Sequence, residues 1–423
     1  MKKIIIKAPV LSRSGYGEQA RFAIRALSSR PDLFDLYIIN IPWGHTGMIM
    51  GNSEERELLD ALVYKTTQHM SDCGAAGPES AYGFDASLQI TIPPEFEKMA
   101  PINIGYTAGI ETTQVAPLWI QHTNSLMDKI ITISEHSRTS FADVEYESVD
   151  PGTGNRHKLV LEVPIDVVNY PTREAEAEEI EIPFETHTNF LVVSQWGPRK
   201  NMENTVKWFM ETFKDDPDVG LILKTNIVSD SLGDREKVST YLQDFLNNFP
   251  DRQCKTYLLH GEISPGQLAW LYQHPSMKAL INIGHGEGYG LPMFEAAYNG
   301  LPLIAIPWSG HMDYICRKNK KGKEVPSIIK VDYELRAVQP EAVWDNVVTA
   351  ESKWAFPKAS SFRRALKEAI TKEEHYRNRA KLLQSQVIKN HTPEKIYEQF
   401  VQSVQDVFVE TPDIKGASNV LLL

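Results

Sequence analysis

At 423 residues the chain is longer than one hydrophobic core accommodates, and it suits two domains of roughly 200 residues each. Its 42% apolar and 23% charged residues are those of an ordinary globular protein, and 55 acids against 44 bases give a net charge of −11, which excludes general attraction to nucleic acid or anionic membrane. No apolar run is long enough to cross a bilayer, Lys7 interrupts the short apolar start MKKIIIKAPV, and Cys73, Cys254 and Cys316 match no disulfide or metal spacing, so a cytoplasmic, reducing setting is expected.

Along the first half, short apolar runs alternate with segments of helical period. Strands are expected at 4–10, 36–41, 88–92, 102–107, 129–134 and 158–163, and helices at 18–27, 55–64, 117–127 and 135–144. Such alternation predicts a parallel, doubly wound sheet. Residues 171–188, PTREAEAEEIEIPFETHT, are acidic and lack a sustained apolar period, which reads as a linker. A second series follows, with strands at 189–194, 219–224, 256–259, 279–283 and 303–306. Its helices are expected at 201–213, 235–248 and 265–273, with one more opening at Pro292. Residues 360–409 are mostly helical, and Pro393 opens the last helix. The expected organisation is therefore α/β. A Rossmann-like domain over 1–170 precedes the linker, a second covers 189–385, and a C-terminal helix and tail occupy 386–423. Two such domains facing each other place a ligand cleft between the carboxyl ends of their sheets.

The richest stretch is HGEGYGLPMFEAAYNG at 285–300. A glycine-rich turn leaves a strand and opens a helix, with Pro292 at its first turn and Gly300 just past its end. Glu287 falls in the turn and Glu295 in the early helix, both beside unpaired backbone N–H groups of partial positive charge. Amides suit phosphate oxygens, and carboxylates suit sugar hydroxyls.

This stretch resembles the Glu-x7-Glu signature of family 4 glycosyltransferases, retaining enzymes of the GT-B fold, and further segments along most of the chain share the likeness. A bacteriophage member is one expectation, since chains of this kind occur there. The resemblance implies two Rossmann-like domains with a C-terminal helix crossing back to the first. It implies that Glu287 and the amides of Gly288, Tyr289, Gly290 and Leu291 meet the transferred sugar and the diphosphate, while Glu295 accepts from the ribose. Main-chain groups around Glu262 and Ile263, in HGEIS (260–264), would hold the base. Gly15 and Gly17, in LSRSGYGEQAR (11–21), would face the diphosphate.

Positive charge at the leaving diphosphate comes from VVSQWGPRKN (192–201), where Arg199 and Lys200 follow a strand; Lys224 ends the next strand. Aligning Lys200-Asn201 with the family pattern puts Ser194-Gln195 where the family has Gly-Arg, so Arg199 or Gln195 fills that place. GYTAGIETT (105–113) lacks the histidine many members carry there, and Glu111 is its nearest ionisable side chain, either a catalytic or acceptor contact or a helix N-terminal acid. Trp43, His45 and Arg13 are candidates to touch the acceptor; SEHSRTSF (134–141) fits the family pattern and is given no chemistry.

The resemblance implies a nucleotide-sugar donor, UDP-linked before GDP-linked, as co-substrate, with no cofactor or metal. The acceptor is a glycan or, because RKNKKGK (317–323) and Arg13, Arg21 and Arg25 are basic, a hydroxylated base in DNA. Two other readings stand: a non-catalytic nucleotide- or glycan-binding module, and a nicotinamide-dependent dehydrogenase. The second fits the glycines at 15 and 17, but the following strand ends Tyr37-Ile38-Ile39-Asn40, without the ribose-binding acid. Oligomeric state is open.

Overall fold

A computed structural model describes residues 1–44, 46–74, 83–149, 152, 154–318 and 321–409. Two six-stranded parallel sheets organise them. The first runs in the order Phe34–Asn40, Lys2–Ala8, Ala86–Gln89, Ile102–Thr107, Lys129–Thr132, Ile165–Val167. Ile4, Ile5 and Ile6 are all buried, as in a strand covered on both faces, which explains an unbroken apolar run without alternation.

The second sheet runs Lys255–Leu259, Val219–Lys224, Thr188–Val193, Met277–Asn282, Leu303–Ala305, Ile329–Lys330. Counted within that sheet, the order is 3-2-1-4-5-6. The chain therefore reverses direction between Thr188–Val193 and Met277–Asn282, which pair directly. Ligands of such sheets bind outside the carboxyl ends at this reversal. The segments 192–201 and 285–300 leave the sheet there.

Two expected elements differ. No strand spans 158–163: Arg156–Leu159 pairs antiparallel with Tyr146–Val149, and the sheet's sixth strand is Ile165–Val167. The alternating Leu159, Leu161 and Val163 pack on the Trp119–Ile120 cluster instead, and Pro164, which has no N–H, meets the ladder only through its carbonyl, 3.0 Å from the Ile130 amide. The helix expected at 55–64 continues as Glu54–Gly74. Thr66 stays within it because its hydroxyl donates to the Leu62 carbonyl and accepts from the Ile38 amide, so a polar residue fills a buried position.

The halves are joined by packing as well as by the linker. Helix Pro393–Gln405 lies on helix Gly15–Ser28 of the first half, with the Phe400 ring 5.3 Å from Phe22 and 5.1 Å from Tyr106. Lys129 donates to the Ser403 carbonyl at 2.9 Å. Tyr170 and Tyr289 meet at 5.2 Å, so one apolar cluster runs through both halves. No helix among the described residues is long and apolar enough to cross a membrane.

Candidate active site

Gly290 caps helix Leu291–Tyr298 in the left-handed region (φ 81°), a conformation that favours glycine. The turn before it carries Glu287, 6% exposed. Lys200 Nζ lies 2.6 and 2.8 Å from the two Glu287 oxygens, Asn282 Nδ2 donates at 2.9 Å, and Arg199 Nη1 stands at 3.4 Å. Burial pushes the Glu287 carboxyl up, but Lys200 and Arg199 outweigh it and hold the group at about 2. Glu287 is therefore ionised and pinned, suited to accepting hydrogen bonds and unsuited to exchanging protons near neutrality.

The cations are placed by a single turn of 3-10 helix, Pro198–Lys200, followed by Asn201 in the left-handed region (φ 53°). Asn201 Nδ2 donates to the Ile283 carbonyl at 3.1 Å, and the Arg199 carbonyl accepts from the His285 amide at 2.8 Å. This segment is thus tied to the turn it serves. Arg199 also reaches the first half, with Nη2 3.2 Å from Glu111, and donates to the Gly286 carbonyl at 2.8 Å. Gln195 turns aside to the Ile227 carbonyl at 2.6 Å, so Arg199 is the second cation at this centre. Burial, with Arg199 beside it, draws the Lys200 ammonium below its ordinary range against the pull of Glu287.

Glycines permit the close approach of the halves. A Cβ on Gly286 would lie 2.2 Å from the Glu111 carbonyl oxygen, and one on Gly288 would lie 2.9 Å from that of Ala108. Tyr289 is in the core against Tyr170, Phe294 and Tyr314, leaving only its backbone for a ligand, and Leu291 packs on the same core.

Two histidines near this centre were given no role by the sequence reading. His136, from the first half, meets the Trp308 ring edge-on at 4.9 Å, and His311 Nε2 donates to the Ile306 carbonyl at 2.7 Å. His136 Nε2 and His311 Nδ1 are both buried without a partner. Burial, and His311 nearby, bring His136 down to about 4; burial also lowers His311, so both are neutral at neutral pH. The signal that could have found them is position: each lies a few residues past the carboxyl end of a parallel strand, Lys129–Thr132 or Leu303–Ala305.

The remaining candidates form a second group. Glu295 is the fifth residue of its eight-residue helix, at mid-helix instead of in its early part, and accepts from Tyr272 at 3.1 Å. Arg13 ion-pairs with Glu262 across the cleft and donates to the Met48 carbonyl. Lys224 is apart from Lys200: burial lowers it, and the charges acting on it are Asp230, Arg13 and Glu262. Ile263 packs on the main core, and Ser264 beside it caps helix Pro265–Gln273. Gly15 opens its helix in free space, whereas a Cβ on Gly17 would lie 1.9 Å from the Ser12 carbonyl oxygen. Trp43 meets the Tyr16 ring at 4.4 Å, and His45 lies outside the described residues.

Burial raises the Glu295 carboxyl from 4.5 to about 7. A raised carboxyl binds its proton more tightly when folded, so stability is full at low pH and declines as pH rises from 4.5 through 7. Glu295→Gln removes that decline. The variant's thermal midpoint should gain on the parent at pH 8 relative to pH 4; an offset equal at both pH values would contradict a buried carboxyl.

No protein-family model matches the chain. It is 33% identical over 118 residues to two Escherichia coli proteins described as serotype-specific mannosyltransferase WbdA, a match covering 27% of this chain and 13% and 12% of theirs. Its structure is similar over almost its whole length to sucrose-phosphate synthase from Thermosynechococcus elongatus, with TM-score 0.62, 13% identity, and 96% of this chain and 99% of that one covered. A glycosyltransferase from Rickettsia africae superimposes with TM-score 0.60 at 11% identity, covering 97% and 99%. A UDP-forming trehalose-phosphate synthase from Burkholderia xenovorans gives 0.57 at 10% identity, covering 96% and 100%. The fold is GT-B.

Proposed function

We propose that the chain is a retaining glycosyltransferase that moves a sugar from a nucleotide diphosphate to a hydroxyl acceptor without a metal ion. The observation that carries this is the meeting of Lys200, Arg199, Glu287 and Glu111 where the sheet of the second half reverses and the first half closes over it. As the glycosidic bond breaks, negative charge builds on the departing diphosphate. Cations and amides already in place stabilise that charge directly. Lys200, now held by Glu287, would be shared with the phosphate, and Glu287 would turn its acceptor capacity to the sugar hydroxyls. Its low pKa supports a mechanism without a protein base, in which the leaving phosphate takes the acceptor's proton on the same face of the sugar. That route gives retention.

The family 4 assignment rests on the 285–300 stretch. Mannose is worth trying beside the UDP-sugars expected first, because a 118-residue stretch is 33% identical to mannosyltransferases. A glycan acceptor is preferred. Arg13, Arg21 and Arg25, which suggested DNA, are all paired with acids: Glu262, Glu18 and Glu55. A DNA acceptor then rests on 317–323 alone, of which 319 and 320 lie outside the described residues.

A panel of UDP- and GDP-sugars, with glycan acceptors and with released nucleotide as the readout, tests the proposal. Release of nucleoside diphosphate that requires an acceptor and survives a chelator is expected. Binding without release would support a non-catalytic module, and transfer restored only by a divalent cation would overturn the metal-free route.

A further inference from the structure

An arm that no motif marks ties the two halves together at the proposed reacting centre. Strands Tyr333–Ala337 and Lys353–Pro357 pair antiparallel, and the segment between them, 338–352, reaches the first half. There Val347 enters the cluster of Val115, Trp119 and Ile120, and the fully buried Trp119 donates through Nε1 to the Asn346 carbonyl at 2.9 Å. The returning strand then makes two sets of hydrogen bonds. The Lys353 carbonyl accepts from the Thr113 amide at 2.8 Å, and the Lys353 amide donates to Thr113 Oγ1 at 3.0 Å. Two residues on, the Ala355 amide donates to the His285 carbonyl at 2.9 Å, and His285 Nδ1 donates to the Ala355 carbonyl at 2.7 Å. The His285 ring stacks on Trp354 at 4.9 Å and touches Phe356 at 4.5 Å.

The spacing is what matters. Thr113 lies two residues after Glu111, and His285 lies two residues before Glu287. A short extended strand therefore grips the loop of one acid in the first half and the turn of the other in the second, while Arg199 bridges both acids.

We propose that Lys353–Pro357 is a spacer that sets the separation of the two halves at the reacting centre, with Thr113 and His285 as positioning residues. The role in transfer rests on the glycosyltransferase reading; the mechanical coupling does not. A strand has a fixed rise per residue and is stiffened here by its antiparallel partner, so the distance from Thr113 to His285 cannot drift without breaking hydrogen bonds. Misalignment of reacting groups by about 1 Å is enough to cost a large factor in rate.

The test pairs Thr113→Val, which is close in shape and lacks the hydroxyl that accepts from Lys353, with Thr113→Ser, which keeps it. Trp119→Phe, which drops the Nε1 bond to Asn346, is a second, independent cut. Two readouts are followed: amide hydrogen exchange across the whole protein, and turnover with the active donor. Thr113→Val and Trp119→Phe should speed exchange at 284–288 in the opposite half and lower kcat by roughly 10-fold with donor KM unchanged, and Thr113→Ser should restore both. Faster exchange confined to residues around 113 and 353, with 284–288 unaltered, would overturn the spacer, as would loss in Thr113→Ser equal to that in Thr113→Val. If no donor is turned over by the parent protein, the functional reading fails while the exchange readout still decides the coupling.

Discussion

Replacing Lys200 with alanine is expected to lower turnover by roughly 100-fold, and Glu287→Gln by a similar factor, which is the order found when one charge-stabilising group is removed from a site of this kind. Neither change should unfold the protein. Without Lys200, the Glu287 carboxylate keeps Asn282 at 2.9 Å and Arg199 at 3.4 Å, so no buried charge is left wholly uncompensated. The loss of Lys200 has a second signature. Glu287 sits at about 2 chiefly because Lys200 and then Arg199 overcome its burial, and removing Lys200 lets it rise. A carboxyl held below its ordinary 4.5 gives stability that is present above that value and is lost as pH falls through about 2. The stability gap between Lys200→Ala and the parent should therefore be widest near neutrality and close as pH falls below 4.5. Turnover near normal in either variant, with a cooperative thermal transition retained at pH 7, would remove these two side chains from the chemistry.

The fold was legible because both halves advertise themselves in apolar runs. Strands such as Ile4–Ile6 are buried on both faces, and alternation with helices leaves few other arrangements. The meeting of Glu287, Lys200 and Arg199 was legible for a related reason: all three lie just beyond strand ends in one half, where sequence order and spatial order coincide. What the sequence hid are contacts between segments far apart in the chain. The likeness alone left Gln195 and Arg199 as alternatives, and only the carbonyl of Ile227, which holds the Gln195 amide, separates them. His136 is one helix removed from the loop where a histidine was sought, yet it comes to the same centre across Trp308. The Lys353–Pro357 strand carries no motif at all. Its significance arises from two bonds to residue 113 and two to residue 285, a relation no local pattern encodes. Arg13 read as a basic contact for an acceptor, but its partner Glu262 lies 249 positions away.

Gly286→Ala should abolish most transfer, by roughly 100-fold in kcat, while leaving nucleotide binding nearly intact. The reason is steric and local. The added Cβ would stand 2.2 Å from the Glu111 carbonyl oxygen and 3.2 Å from its carbon, with Trp308 a further 3.0 Å contact. Backbone on one side of the cleft then meets backbone on the other, so no side-chain rotation relieves the clash, and the halves must part. Parting them stretches the bridge from Arg199 to Glu111, now 3.2 Å, while the Arg199 bond to the Gly286 carbonyl lies within the second half and holds. Gly286 is not among the glycines at positive φ, so alanine suffers no backbone strain there and the effect reports the contact alone. Gly233→Ala, with nothing within 4 Å of its added Cβ, is the matched control and should turn over normally. With the nucleotide proposed to lie on the second half, binding measured by calorimetry with the nucleoside diphosphate should change little. Full turnover in Gly286→Ala would mean that the reaction does not need the halves this close, and the Glu111 side of the centre would lose its place in the mechanism.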